Sequence, residues 1–350
     1  MPASLKKMVR RTQGKYLVGG RFTGQGSKSC LDFRFCGLCS NTQLILIAKK
    51  LLGRATFMDP MKIFGEFADS MLNIQVFHNI EENATKNQML ELDQYVKATD
   101  KDHDAYFGSF HNLLFNDLVA RKIKSYKLKE LNIDEHRNQI LLQLNKQTCW
   151  LLVDAYEIFK KYLIKIYVYV VFNDSTSLIK SDFNIDINQF KSEDINLWQE
   201  NIISIVEEKR TKQVKIILSS FRKVYSLFKA IELNNIFDID MGIIITAIRH
   251  LRNEITHSLG KCDQYKLIQK ILKDSGYTQN SNQGIACKEF VQSFFGPGDL
   301  GNTIMLVDIH SILERSHLYT DKFYRIFQFL ISYAVLVCRC VSGKDIDCDS

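Results

Sequence analysis

Apolar residues recur three and four positions apart over most of the chain from residue 41 onward. This spacing places them on one face of an α-helix and predicts amphipathic helices. In the segment 134–172, the positions that keep the spacing are Ile140, Leu141, Leu144, Thr148, Leu152, Tyr156, Phe159, Leu163, Ile166 and Val170. A second stripe predicts one continuous helix through Val214, Ile217, Phe221, Val224, Phe228 and Ile231.

Further helices are predicted from the same spacing and from the glycine, proline and polar segments between the apolar runs. Their approximate ranges are 41–52, 60–80, 110–130, 243–259, 263–274, 284–295, 303–316 and 320–341. No convincing alternation of apolar and polar residues predicts a strand, and no internal repeat is visible. The expected fold class is therefore all-α.

Composition divides the 350 residues into four expected segments. Residues 1–40 are a basic, Gly-rich, irregular arm. Residues 41–105 are a helical region, for which we expect a regulatory role. A polar stretch at 96–108 separates this region from the main helical domain, 106–341, and residues 342–350 form a tail.

The net charge of +7 resides in the arm, because residues 1–31 carry seven basic side chains and no acidic one. Such an arm either steers the protein toward phosphate groups or a membrane surface, or is simply a solvated tail. No signal peptide is visible, and the most apolar runs, 163–172 and 329–338, are shorter than the roughly 20 residues that span a bilayer. We expect a soluble, cytoplasmic protein with no membrane partner.

Nine cysteines, an odd number in a long chain, do not resemble a secreted disulfide framework. Cys36 and Cys39 form one CxxC pair, with Cys30 shortly before it. A structural zinc site needs four ligands, which His78 or Cys149 would have to complete. Ordinary reduced cysteines are the simpler interpretation, and we expect no metal and no cofactor.

The segment "IRHLRNEITHSLG" at 248–260 carries basic groups on a helix whose other face is apolar. At 100° per residue, the apolar side chains gather on one stripe, and Arg249, Asn253 and His257 lie opposite it, with His250 and Arg252 at their flanks. Arg252 and His257 are five residues apart, so their side-chain bases point about 140° apart. A long arginine side chain can still reach toward Asn253.

These residue types suit RNA cleavage without a metal ion. Histidine, with a pKa near ~6.5, can remove a proton from the ribose 2′-OH or donate one to the leaving 5′-oxygen. Arginine stabilises the charge that develops on the phosphoryl oxygens, and asparagine can bind the phosphate or orient the histidine. The sequence has no HExxH motif, no Walker loop and no nucleophile elbow.

"RNEITH" at 252–257 resembles the motif of the HEPN superfamily of nucleases: an arginine, four to six residues, then a histidine, often with asparagine after the arginine. Arg252, Asn253 and His257 match those positions, and "CWLLVDAYEIFKKYL" at 149–163 resembles an earlier helix of the family. The resemblance covers roughly residues 110–341.

The resemblance implies a HEPN-like helical bundle with a mostly helical N-terminal extension, acting as a homodimer with a composite site. It implies an endoribonuclease that leaves 2′,3′-cyclic phosphate and 5′-OH ends. Arg252 would bind the scissile phosphate, Asn253 would position a reacting group, and His257 would be the general base or acid. Family members are often toxins or antiphage effectors that cut tRNA or mRNA, so an antitoxin or regulatory partner is also implied.

Several assignments rest on spacing alone. Arg249, His250 and Thr256 are candidate helpers in the site or solvated surface residues. The run "ARKIKSYKLK" suggests an RNA-binding surface or a solvated helix face, and its candidate residues are Arg121, Lys122, Lys124, Tyr126 and Lys127. The alternative function is a non-catalytic HEPN-like module that binds a nucleotide or a protein partner.

Overall fold

A computed structural model describes residues 59–99, 106–173, 177–186, 195–209, 213–307 and 322–343. These residues form one compact unit that lies within Ala55–Ser350. They are mostly helical, as predicted, with one two-stranded antiparallel sheet. The basic arm, the apolar segment 41–52 and the cysteines Cys30, Cys36 and Cys39 lie outside the described residues.

The described residues form the following helices and strands. In order they are α1 (Pro60–Thr99), β1 (Tyr106–Asp117), β2 (Lys122–Asn132), α2 (Ile133–Asn173), α3 (Ser177–Phe183), α4 (Ile195–Glu208), α5 (Gln213–Val224), α6 (Ser226–Leu233), α7 (Met241–Ser258), α8 (Gln264–Ser275), α9 (Asn282–Gln292), a single 3₁₀ turn (Gly298–Leu300) and α10 (Lys322–Ser342).

Helix α2 is the centre of the fold. Every position of its predicted apolar stripe is buried, which confirms the prediction for 134–172. Between Phe159 and Phe172 the helix is apolar on nearly all sides, and α1, α4, α5, α7 and α10 pack around it. A helix with this composition is stable in water only when neighbouring helices cover it.

The prediction of a helix over 110–130 is wrong, because this segment forms a β-hairpin. Its strands pair antiparallel from Tyr106↔Asn132 to Asp117↔Lys122. Aromatic residues favour the extended backbone of β1, and the Asp117 carboxylate accepts hydrogen bonds from the amides of Val119 and Ala120, which closes the turn. Lysines at 122 and 124 with isoleucine between them are the period-two signal that helical spacing obscured.

The predicted single helix through Val214 and Ile231 is divided in two. Tyr225 has an extended backbone (φ −116°, ψ 98°) that separates α5 from α6. The aromatic rings of Phe221 and Phe228 still meet across the break, with centroids 6.1 Å apart, while Ile231 points to solvent. Helix α4, which packs on α2, was not predicted from the apolar spacing.

Residues 303–307, predicted to begin a helix, are extended instead. They pair with residues of other segments through the isolated bridges Lys261↔Thr303 and Phe295↔Ile304. The buried amide of Asn145 on α2 donates to the Ile304 carbonyl (3.0 Å) and accepts from the amide of Leu306 (2.7 Å). These backbone groups are thus satisfied by tertiary contacts, which helical spacing cannot predict. Residues 308–321 lie outside the described residues.

We expect Asn145→Ala to lower the free energy of unfolding by about 3 kcal/mol, because it leaves buried backbone groups of 304–306 without partners. Chemical denaturation monitored by circular dichroism measures the change. Asn173→Ala, which removes only a half-buried hydrogen bond to the Tyr169 carbonyl within α2, is the control and should cost far less. Equal costs for the two variants would contradict this role of Asn145.

Helix α10 is long and apolar enough to cross a membrane, judged by length and composition alone. In the structure it packs against α1, α2 and α7. Tyr333 on its inner face is fully buried and donates a hydrogen bond to Glu232 (2.5 Å). The structure therefore uses α10 as a core helix.

Candidate functional site

Helix α7 carries the Arg-Asn-x3-His motif, and both of its ends are capped. The Asp240 carboxylate accepts a hydrogen bond from the Gly242 amide (2.7 Å) at the N-terminus. At the C-terminus Leu259 and Gly260 adopt left-handed backbone (φ 54° and 78°), and the Gly260 amide donates to the Glu254 carbonyl (3.1 Å). The predicted buried stripe is present at Ile244, Ile248, Leu251 and Ile255. This stripe fixes the rotation of α7 and hence the direction of its polar side chains.

The Arg252 side chain lies between α7 and α2. Its Nη2 donates to Glu157 Oε1 (2.5 Å), and its Nη1 donates to the side-chain oxygen of Asn253 (3.0 Å). The Nε of Arg252 is buried without a hydrogen-bond partner among the described residues. Glu157 also pairs with Lys160, at 3.5 Å between Oε2 and Nζ. The guanidinium is therefore held in a fixed position, and one carboxylate shares its charge between two cations.

His257 is exposed one turn beyond Asn253 and makes no hydrogen bond to any described residue. Nothing in the described part of the chain brings its imidazole into contact with Arg252. The Thr256 hydroxyl donates to the Arg252 carbonyl (2.9 Å), so this candidate helper is turned toward its own helix. The structure thus joins Arg252 to Asn253 and leaves His257 open to solvent on the same helix.

The other two candidate helpers, Arg249 and His250, meet Asp274 of α8. Arg249 Nη2 donates to Asp274 Oδ2 (2.6 Å), and His250 Nε2 lies 3.0 Å from the same oxygen. The same His250 nitrogen also lies 3.3 Å from Arg249 Nη2, so the three side chains form one cluster. Lys270 of α8 also faces this group, and it pairs with Glu254 at 3.2 Å. Both helpers are therefore fixed by α8 rather than free on the surface.

Sequence reasoning missed the two carboxylates, Glu157 and Asp274, that hold the arginines of α7. Glu157 lies in the segment 149–163, where it directly follows the buried Tyr156 in an otherwise apolar helix. An acidic residue at the edge of a buried stripe was the available signal. Asp274 near the end of α8 gave no such signal, because its partners come from another helix.

Burial lowers the pKa of His250, while the hydrogen bond to Asp274 opposes that shift and the nearby Arg249 adds to it. A histidine whose pKa is lowered on folding stabilises the protein above its unfolded pKa, and this stability is lost as the pH falls below about 6.5. We expect the melting temperature to decrease between pH 7.5 and 5.5, and His250→Gln to flatten the decrease. A variant with the same pH dependence as the wild type would refute the assignment.

A cavity of about 250 Å³ adjoins this cluster at the N-terminal half of α7. Arg222 holds the buried carboxylate of Glu232 through two hydrogen bonds of 2.6 Å, and Tyr277 donates to Asp240 (2.8 Å). Burial raises the pKa of Asp240. The acidic groups that line the cavity are thus all engaged with protein donors.

The lysine-rich run lies on the β-hairpin. Arg121 closes the turn with a positive φ of 52°, and Lys122 and Lys124 follow on β2. Lys124 forms an ion pair with Asp117. Tyr126 and Lys127 also belong to β2, but the structure does not describe their side chains. The run therefore presents cations on a ribbon, not on a helix face.

Within the described residues, no three His, Cys, Asp or Glu side chains are grouped so that they could hold a metal ion. Cys149, which we considered as a zinc ligand, is a buried thiol whose pKa burial raises to about 12. His78 is buried and stacks on Phe323, with ring centroids 4.6 Å apart. Both residues therefore have packing roles.

Comparisons of the chain with protein-family models, characterised proteins and solved structures returned no match.

Proposed function

We propose that the protein is a metal-independent endoribonuclease of the HEPN type, in which α7 supplies the reacting groups. The observation that carries the proposal is the pairing of a fixed arginine with an open histidine on one capped helix. Arg252 is held by Glu157 and Asn253, and His257 is exposed a turn later. A fixed guanidinium and a titratable imidazole are the groups that phosphodiester cleavage by the 2′-OH requires.

Each group has one task in the proposed reaction. His257 removes the proton from the ribose 2′-OH or protonates the 5′-oxygen that leaves, and Arg252 binds the phosphoryl oxygens as negative charge builds on them. Asn253, which already accepts a hydrogen bond from Arg252, orients that guanidinium. The products are a 2′,3′-cyclic phosphate and a 5′-OH.

A second copy of α7 completes the proposed site. The imidazole and the guanidinium leave one helix about 140° apart, so a single protomer does not direct both at one phosphate. A two-fold axis beside α7 would bring His257 of one protomer near Arg252 of the other. We therefore propose a homodimer with a composite site that acts on tRNA or mRNA, as a cytoplasmic toxin or antiphage effector restrained by a partner.

The second candidate function is a non-catalytic helical module that binds a nucleotide or a protein. One observation favours it: both terminal nitrogens of Arg252 are already engaged within the protomer, by Glu157 and Asn253. These contacts also fit a purely structural role for Arg252, as a link between α2 and α7. In that case Arg252→Ala lowers stability without any effect on RNA.

The test is incubation of the purified protein with total RNA in EDTA, followed by mapping of the cleaved ends. The nuclease gives cyclic phosphate ends that persist in EDTA and disappear with Arg252→Ala. Arg137→Ala is the matched control, because Arg137 also forms ion pairs with carboxylates, Asp93 and Asp134, but far along the chain from α7. Cleavage that survives Arg252→Ala, or that is absent from the wild type, overturns the proposal.

A further inference from the structure

The tip of the β-hairpin exposes an unusual amount of apolar surface. Five large apolar side chains within ten residues are between 43% and 95% exposed: Leu114, Phe115, Leu118, Val119 and Ile123. Val119 and Leu118, at the turn, are the most exposed of them. A soluble protein rarely leaves apolar side chains clustered in this way unless another surface covers them.

Strand pairing separates two of these side chains, Leu114 and Ile123, from the charged residues of the hairpin. Cross-strand partners lie on the same face of a ribbon, and the register pairs Leu114↔Ser125 and Asn116↔Ile123 on one face. The other face holds the pairs Phe115↔Lys124 and Asp117↔Lys122. One face of the ribbon therefore carries Leu114 and Ile123 with no charged side chain, and the other carries Phe115 beside the charged residues. Leu118 and Val119 lie at the end.

Two amides and the carboxylate of the turn have partners inside the hairpin. Asp117 accepts hydrogen bonds from the amides of Val119 (3.0 Å) and Ala120 (2.9 Å), and Lys124 neutralises its charge. Arg121 and Lys122 form no ion pair with any described carboxylate. The apolar tip can consequently leave water while the Asp117 carboxylate and the amides of Val119 and Ala120 keep their partners, and two cations beside it stay available.

We infer that the hairpin tip docks into the surface of an anionic membrane. Leu118 and Val119 enter the boundary between headgroups and acyl chains, and Arg121 and Lys122 contact the anionic headgroups. Charge complementarity selects this partner, because apolar residues in the interface and cations toward acidic lipid are the two signals that hold a protein on a bilayer. Single-stranded RNA fits less well, since four of the five exposed side chains are aliphatic and offer no ring for stacking.

The proposed contact is peripheral and does not span the membrane. It modifies our expectation from the sequence that no membrane partner exists, which rested on the length of the apolar runs. It is independent of the proposed ribonuclease activity, because none of the hairpin residues belongs to α7. The experiments can therefore distinguish a nuclease that does not bind membranes from a membrane-bound protein that does not cleave RNA.

The test is flotation of the full-length protein with vesicles of phosphatidylcholine alone or with about 30% phosphatidylserine. The wild type should float with the acidic vesicles. The double substitution Leu118→Ser and Val119→Ser should lower the partition of the protein onto vesicles at least about tenfold. Arg121→Gln and Lys122→Gln should each lower it about fivefold, and only on the acidic vesicles. Leu227→Ser, which changes an exposed leucine on α6, is the control and should have no effect.

A second measurement reports insertion directly. In Val119→Trp, acyl chains carrying bromine should quench the fluorescence of the introduced tryptophan, whereas the wild type gives the background of its two native tryptophans. The basic N-terminal arm is present in every variant, so the differences among variants report on the hairpin. The inference is overturned if the serine double variant floats like the wild type, if the introduced tryptophan is not quenched, or if the tip substitutions weaken RNA binding while vesicle binding stays unchanged.

Discussion

We expect His257→Ala to lower the rate of the proposed RNA cleavage by a factor of about 10²–10⁴, the usual contribution of a general acid or base. The imidazole is exposed and makes no hydrogen bond to a described residue, so its removal leaves no buried group without a partner. The free energy of unfolding should consequently change little. The measurement pairs single-turnover cleavage of a labelled RNA in EDTA with a denaturation curve of the same variant.

The matched control for this substitution is Tyr265→Ala, which removes another exposed ring from the neighbouring helix α8. It should leave cleavage unchanged. His257→Gln, which retains hydrogen bonding but does not titrate near neutral pH, should be as inactive as the alanine variant if the role is proton transfer. Full activity in His257→Gln would assign His257 to RNA binding instead and reject it as the acid or base.

We expect Glu232→Ala to lower the free energy of unfolding by about 3 kcal/mol or more, because it leaves a partly buried arginine without its carboxylate partner. The Glu232 side chain is only 2% exposed, and it accepts from Arg222 at 2.6 Å and from Tyr333 at 2.5 Å. Its loss leaves both donors without their shared acceptor. Denaturation by guanidinium chloride, with a check that the slope is unchanged, measures the effect.

A pair near the surface provides the control for the buried one. Asp93→Ala removes a carboxylate that is 45% exposed and that pairs with Arg137, and it should cost at most about 1 kcal/mol. If both substitutions cost the same, the network around Glu232 is not the anchor of α6 and α10 that its burial indicates. Replacement of Arg222 and Glu232 together by apolar residues should recover part of the loss, since no unpaired charge then remains.

The parts of the fold that could be predicted from the sequence are those in which one helix buries one stripe. In α2 and α7 the apolar spacing was long and regular, and every predicted stripe residue is buried. The hairpin was missed because its turn and strand signals are local, short and mixed with residues that also suit a helix. The extended segment 303–307 depends on Asn145, more than 150 residues away, and no local pattern contains that contact.

The candidate site divides in the same way. Arg252, Asn253 and His257 could be named because they lie on one helix, where spacing fixes their mutual placement. Glu157 could not be assigned a partner from the sequence, although it determines where the guanidinium points. Its position on α2 becomes meaningful only when the buried stripes of α2 and α7 are packed together.

The burial of α2 on nearly all sides has a consequence for biosynthesis. The ribosome completes this helix before it makes α7 and α10, two of the helices that cover it. During that interval the segment from Phe159 to Phe172 has no partner on those sides, and such surfaces promote aggregation. The nascent chain should therefore need a chaperone until α10 emerges, and premature stop codons before residue 322 should yield insoluble protein.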